Sequence, residues 1–291
     1  MKPAVFEYFR PRTVDEALAL LAENGGDAKP LAGGQSLIPA MNFRLATPSV
    51  LVDLNGIPEL SYIKDDGQGL RIGGMTRQRQ IERSPLISAK APLIAETMPH
   101  IAHVAIRNRG AIGGSLAHAD PAAELPALMV ALNAELEVTS TQGKRSVPAS
   151  EFFVGLFSTA IQPGELLTEI RIPVAAKRSG SAFLEISRRH GDFALVGVAA
   201  VVRLDAQELC ADARIALLSV GDRPMLAERA IAILKGQRPS PELIRAAADA
   251  AAAGDIDPSS DIHASARYRR QLANVLTRRV LERAFERARS A

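Results

Sequence analysis

The sequence predicts an α+β protein in two domains, and three observations carry that prediction. Strand and helix signals alternate through the first half of the 291 residues, whereas strands cluster ahead of helices in the second half. A polar stretch over 173–180, with Lys177, Arg178 and Ser179, separates the halves between two strand signals. The length itself accommodates two domains at about 150 residues each. The expected division is 1–176, in subdomains of about 1–57 and 58–176, and 177–291.

Thr13 with Glu16 three residues on is a capping box, and Val14, Ala17, Leu18 and Leu21 follow at helical spacing. Gly25-Gly26 ends that helix. A short strand, Pro30-Leu31-Ala32, runs into Gly33-Gly34-Gln35-Ser36, and Leu37-Ile38-Pro39 restores order. Val50-Leu51-Val52-Asp53 and Leu70-Arg71-Ile72-Gly73 have strand character. Thr76 is the predicted cap of a polar helix through Glu82, and the period of 91–104 predicts another helix. A helix over about 122–132 and strands near 135–139 and 166–172 complete the first half. Beyond the boundary, 182–187, 193–204 and 213–220 read as strands of one antiparallel sheet. Helices over about 224–235, 240–253 and 264–289 follow. No internal repeat is visible.

Composition narrows the chemistry. Hydrophobic residues at 47% and charged residues at 23% match an ordinary folded protein and exclude wholesale disorder. The single cysteine, Cys210, cannot supply a thiolate zinc site or an iron–sulfur cluster, and no internal disulfide is available. A net charge of +3 is too small to mark nucleic-acid binding. The start, Met1-Lys2-Pro3-Ala4-Val5-Phe6-Glu7, has no apolar signal core, and charges interrupt every later apolar stretch before about 18 residues. The expectation is a cytoplasmic chain with no membrane span.

Two glycine doublets, Gly33-Gly34 and Gly113-Gly114, stand out, each with a hydroxyl close behind at Ser36 and Ser115. Glycine lets backbone approach a phosphate, and consecutive amides form a concave anion site. The competing reading is that each doublet is a tight turn. Neither a G-x-G-x-x-G fingerprint nor a P-loop is present, which disfavours a Rossmann dehydrogenase and a P-loop NTPase. Asp120 and Glu124 follow the second doublet. A carboxylate there can accept from paired ribose or ribityl hydroxyls, or Glu124 can simply favour the dipole of the helix it opens.

Other candidates carry less. His100-x-x-His103 shares a helix face, but no third ligand sits at metal spacing, so capping or solvated histidines are expected. Cys210 lacks a neighbouring base and reads as a small buried hydrophobe. The last helix carries Arg267, Arg269, Arg270, Arg278, Arg279, Arg283, Arg287 and Arg289 beside an apolar stripe of Tyr268, Leu272, Val275, Leu276 and Phe285. That stripe favours a packed helix with a solvated basic face over a nucleic-acid arm, with contact to an acidic partner subunit in between.

Ala32-Gly33-Gly34-Gln35-Ser36-Leu37, followed by Pro39, Met41 and Arg44, resembles the first FAD pyrophosphate loop of the medium subunits of molybdenum hydroxylases. The run from Ile106 to Pro126, containing Ala111-Ile112-Gly113-Gly114-Ser115 and Asp120-Pro121-Ala122-Ala123-Glu124, resembles the second. Phe9-Arg10-Pro11, Arg188 to Ala194, Gly221 to Arg229 and Tyr268-Arg269 also match, so the resemblance runs end to end within the xanthine dehydrogenase family. The wording is nearest to the aerobic carbon monoxide dehydrogenase type.

The resemblance implies an FAD domain of the vanillyl-alcohol-oxidase (PCMH) type in two subdomains. A carboxy-terminal domain follows, with a three-stranded antiparallel sheet against a helical bundle. It implies FAD contacts from Ala32, Gly33, Gly34, Gln35, Ser36 and Leu37, and from Ala111, Ile112, Gly113, Gly114 and Ser115. Asp120 and Glu124 match positions near the flavin's hydroxyl-bearing chain, and Asp192 and Phe193 match the loop against its ring system. It implies an electron-transfer role, with no metal and no catalytic residue in this chain. A molybdenum cofactor belongs to a large partner subunit and two [2Fe–2S] clusters to a small one, together a dimer of heterotrimers. Ala111 stands where the family usually has threonine, and losing a hydrogen bond to a charged group costs about 1.5–3 kcal/mol. Phe193 stands where it often has tyrosine, which leaves stacking alone. The alternatives are a stand-alone flavoprotein reductase of the same fold and a basic, non-enzymatic binding module.

Overall fold

Thr13 does cap the first helix: its hydroxyl accepts the Glu16 amide at 3.2 Å, and the helix ends where Gly25 turns to φ +53°. In the computed structural model, which describes residues 2–291, this helix, α1 (Val14–Asn24), links β1 (Glu7–Phe9) to β2 (Ala28–Leu31). A loop and α2 (Leu37–Asn42) then lead to β3 (Val50–Asp53). The three strands form a parallel sheet in the order β1-β3-β2. Ala17, Leu18 and Leu21 of α1 pack with Val50 and Val52 of the central strand, as parallel strands require a covered face.

A second, antiparallel sheet follows. It contains β4 (Ile63–Asp65), β5 (Gly69–Gly73), β6 (Glu135–Ser140), β7 (Gly143–Pro148) and β10 (Leu166–Pro173), in the order β4-β5-β10-β6-β7. Between β5 and β6 run six short helices: α3 (Gln78–Arg83), α4 (Pro85–Lys90), α5 (Pro92–Thr97), α6 (Val104–Arg107), α7 (Ile112–His118) and α8 (Glu124–Ala131). After β7 come α9 (Ala149–Phe152) and a small hairpin of β8 (Phe153–Gly155) and β9 (Ser158–Thr159). Ile72, Leu136, Val138 and Ile170 face the helices, while Glu169, Arg71 and Arg171 occupy the opposite face in a charge ladder.

The third sheet has three long antiparallel strands, β11 (Ser179–Ser187), β12 (Ala194–Leu204) and β13 (Cys210–Leu218), extended by the two-residue β14 (Met225–Leu226). It is covered by α10 (Glu228–Leu234), α11 (Pro241–Gly254) and α12 (Ala266–Ser290). Cys210 is buried there and burial pushes its thiol up to about 11, in keeping with a hydrophobic role. Val280, Leu281 and Phe285 of α12 are buried, while Arg267, Arg279 and Arg283 face outward. No helix among the described residues is long and apolar enough to cross a membrane.

Two expectations need correction. Residues 91–104 are not one helix: α5 stops at Thr97, a 3₁₀ turn covers Met98–His100, and Ala102 takes φ +46° before α6. Pro99 lacks the amide that would continue the helical ladder. Thr76 does not cap α3, since Arg77 occupies that position. Thr76 is buried and exchanges hydrogen bonds with the Tyr62 backbone, at 3.1 Å as acceptor and 2.9 Å as donor.

Candidate functional site

The two glycine doublets, far apart in sequence, meet in space. Gly33 lies so close to the second loop that a Cβ on it would stand 2.4 Å from the Arg109 carbonyl oxygen and 2.7 Å from Gly110 Cα. A Cβ on Gly113 would stand 2.6 Å from the Gly74 carbonyl oxygen, and one on Gly114 would be 3.0 Å from Ala32 Cβ. Gly34 takes φ +70°, which glycine alone adopts without strain. The first glycine demand here is therefore loop against loop: Gly33 and Gly113 let main chain pack directly on main chain.

The two loops are held very differently. The second is fastened by backbone: Gln78 donates to Gly110 at 2.8 Å, Ile112 to Thr76 at 3.0 Å and Gly113 to Gly74 at 2.8 Å. Arg77 and Ala111 form a β-bridge. The first loop has no such ladder. Among the described residues, the amides of Gly33, Gly34, Gln35 and Ser36 donate no hydrogen bond within the chain, nor does that of Gly114. The Asn55 side-chain amide donates to the Ala32 carbonyl at 3.0 Å. Asn55 in turn accepts from Arg77, whose guanidinium also donates to the Arg109 carbonyl at 2.5 Å. Unpaired amides on two loops packed against each other are what an extended anion such as a diphosphate requires.

Ala111 is the N-cap of α7, contributes no capping side chain, and is buried in the apolar cluster with Met75 and Leu166. Helix α7 carries the chain from the glycine cleft to Ala119, in the left-handed region at φ +51°, and on to Asp120. There Asp120 accepts the Ala122 amide at 2.9 Å. Asp120, Asp192 and Phe193 line one cavity of about 750 Å³ together with Leu156, Met225 and Arg269. Asp192 is paired with Arg188 at 3.1 Å and Phe193 is 67% exposed. Their β11–β12 hairpin rests on the segment leading into the second loop. Gly191, at φ +87°, leaves no room for a Cβ beside the His103 ring, and the His103 and His190 rings lie 6.2 Å apart.

Glu124 is placed differently from an open carboxylate. It begins α8 at 7% exposure, and burial together with the charge of Glu185 raises its pKa to about 8. It is a neutral acid near pH 7, able to donate as well as accept, and without the charge a helix dipole would favour. His100 Nδ1 lies 3.4 Å from Glu185 Oε1, and this hydrogen bond raises the His100 pKa. His100 and His103 therefore serve different neighbours and do not converge. Asn55, Arg77 and Gly74 belong to the site but carry no recognisable motif; only the turn-like Asn55-Gly56 pair marks the first in sequence.

Comparison with known proteins identifies the family. Residues 4–175 match the FAD binding domain in molybdopterin dehydrogenase, and residues 181–284 match the CO dehydrogenase flavoprotein C-terminal domain. The chain is 46% identical to the 6-hydroxypseudooxynicotine dehydrogenase complex subunit alpha of Paenarthrobacter nicotinovorans, over 99% of this chain and 97% of that one. It is 43% identical to the carbon monoxide dehydrogenase medium chain of Afipia carboxidovorans, over the full length of both. Its fold superposes on the carbon monoxide dehydrogenase structure from Hydrogenophaga pseudoflava with a TM-score of 0.96 and 41% identity, covering 99% of each chain. The molecule thus belongs to the molybdenum hydroxylase family, as an FAD-binding medium subunit.

Proposed function

We propose that the chain holds the FAD diphosphate between its two glycine loops and serves as the electron-transfer subunit of a molybdenum-containing hydroxylase. The unpaired amides of Gly33, Gly34, Gln35, Ser36 and Gly114 carry this reading, with the Ser36 and Ser115 hydroxyls beside them. Ala32, Leu37, Ala111, Ile112 and Gly113 shape the walls. Asp120, Asp192 and Phe193 border the adjoining cavity and are assigned to the ring system and its polyol chain, with Glu124 as a neutral hydrogen-bonding acid behind them.

Bound FAD exchanges one or two electrons, which suits a carrier between the [2Fe–2S] clusters of a small partner subunit and an external acceptor. The chain's own residues bind and orient the cofactor and exclude water from its diphosphate. None is assigned to substrate chemistry, which belongs to a large partner subunit with the molybdenum cofactor. Relatives named for a hydroxypseudooxynicotine and for carbon monoxide align along the whole of this chain, which supports placing substrate choice in that partner. The same reading divides the chain near residue 176. It assembles the complex as a dimer of heterotrimers in the cytoplasm, or at the inner face of the membrane through the partners.

Co-expression with the partner subunits tests this. The expected spectrum of this chain after separation has flavin bands alone, iron and molybdenum stay with the other chains, and the isolated chain oxidises no substrate. Hydroxylase turnover by the isolated chain would overturn the reading.

A further inference from the structure

We propose that Asn55 and Arg77 are positioning residues that set the separation of the two glycine loops. Both lie outside the loops, on the 3₁₀ turn after β3 and at the N-cap of α3. The Asn55 side chain donates to the Ala32 carbonyl at 3.0 Å, at the root of the first loop. Its carbonyl oxygen accepts from Arg77 Nη2, and Arg77 Nη1 donates to the Arg109 carbonyl at 2.5 Å, at the root of the second. The bridge is anchored from behind. Asp53 accepts the Asn55 backbone amide at 3.0 Å and also the Asn55 side chain, while the Tyr8 hydroxyl donates to the other Asp53 oxygen.

The geometry makes this bridge the main polar tie on the first loop. The second loop has backbone bonds to 74–78, so it keeps its shape without side chains. The first is bonded within itself and to α2, through the Gln35 side chain on Gly33 and the Ile38 and Ala40 amides on Gly34 and Ser36. Beyond α2 it has van der Waals contact through Gly33 and the single side-chain bond to Ala32. The Arg109 carbonyl gripped by Arg77 is the same atom that Gly33 packs against. Arg77 therefore fixes the surface on which the first loop rests, and Asn55 fixes the loop to that surface. A diphosphate bound by amides from both loops depends on their spacing, because a displacement of about 1 Å weakens every amide contact together.

This inference rests on the assignment of FAD to the cleft. The test is titration of the full-length chain with FAD, followed by flavin fluorescence, alongside the melting temperature of the FAD-free protein. Asn55→Ala and Arg77→Met are each expected to weaken FAD binding about tenfold, the worth of one polar contact. The double variant is expected to be no more than about twofold weaker than either single one, because the two side chains act as one unit. Arg77→Lys keeps the charge but cannot bridge two acceptors in a fork, and is expected to recover part of the affinity. Melting of the FAD-free variants should stay within about 2 °C of the wild type, since both side chains lie outside the apolar cores.

Single variants that bind FAD within twofold of the wild type would overturn the proposal. So would losses that multiply in the double variant, or losses that track a fall in melting temperature. A Ser36→Ala/Gly114→Ala variant of the loops themselves separates the two levels. If it leaves FAD binding unchanged, or the wild-type chain binds none, the assignment of the cleft fails and the bridge proposal falls with it.

Discussion

The two glycine loops look alike in sequence, each a doublet with a serine close behind, yet they are built on different principles. The loop through Gly113 is stitched by main-chain hydrogen bonds to the strand-to-helix turn at 74–78. The loop through Gly33 leaves its own amides free and leans on its neighbour, tied by the Asn55 side chain. One loop is scaffold and the other, in the function proposed above, is receptor. The difference teaches that a glycine doublet can serve two needs at once: a residue with no Cβ to permit packing, and its neighbour's amide to meet an anion.

The contrast can be broken most forcibly at Gly113. Gly113→Ala would press a Cβ on the Gly74 backbone, an overpacking cost of about 3 kcal/mol. Calorimetry should show melting lowered by on the order of 6–10 °C, with FAD binding lost in parallel. Retained stability would mean that the second loop is not the scaffold. Gly34→Ala should do less to stability, about 1–2 kcal/mol for a left-handed alanine, while weakening FAD binding by more than its melting shift suggests. Equal effects on both measurements would erase the division into scaffold and receptor.

Farther along, Glu124 tests whether the polar end of the site is neutral. Its pKa rises from 4.5 to about 8 on folding, so the folded chain holds a proton the unfolded chain has released. The associated stability is full below about pH 4.5 and is lost as pH rises through about 8. Melting of the wild type should therefore fall more steeply between pH 5 and 8 than that of Glu124→Gln, which cannot titrate. Identical slopes would refute a buried neutral acid. The smallest effect is expected from Ala111→Thr. In the FAD-free chain, a hydroxyl at the empty N-cap of α7 can accept the otherwise free Gly114 amide and add about 0.5–1 kcal/mol. Lowered melting would show that the apolar cluster around Ala111 has no room for it.

Much of the molecule was legible because its signals are local. The Thr13 cap, the Gly25 stop, the apolar runs at 50–53 and 70–73, and the doublets themselves all act within a few residues. What could not be read depends on distant neighbours. Arg77 and Asn55 are ordinary polar residues until folding joins them to each other between the Ala32 and Arg109 carbonyls. The raised pKa of Glu124 comes from burial and from Glu185, on strand β11 far along the chain, and nothing around Glu124 in the sequence announces it. Strand β7 escaped because four of its six residues are exposed and its lysine, arginine and serine carry no apolar period. The helical period over 91–104 misled because Pro99 and the left-handed Ala102 break a face that is otherwise consistently apolar.

The packing of α12 on β11 and β12 gives the site a history as well as a shape. Arg287 of that helix reaches across to Glu96 at 2.5 Å and to the Ser181 carbonyl, joining segments 191 positions apart. Domains fold as they emerge during synthesis, amino-terminal parts first. Both glycine loops lie before residue 116, and strand β10, which backs the Gly74 turn and Ala111, ends at Pro173, so the loops and their supports are all synthesised before the hairpin bearing Asp192 and Phe193. That hairpin gains its backing only once α12 has been made. Chain order therefore sets an order of completion: the glycine loops first, and the hairpin that borders the cavity last.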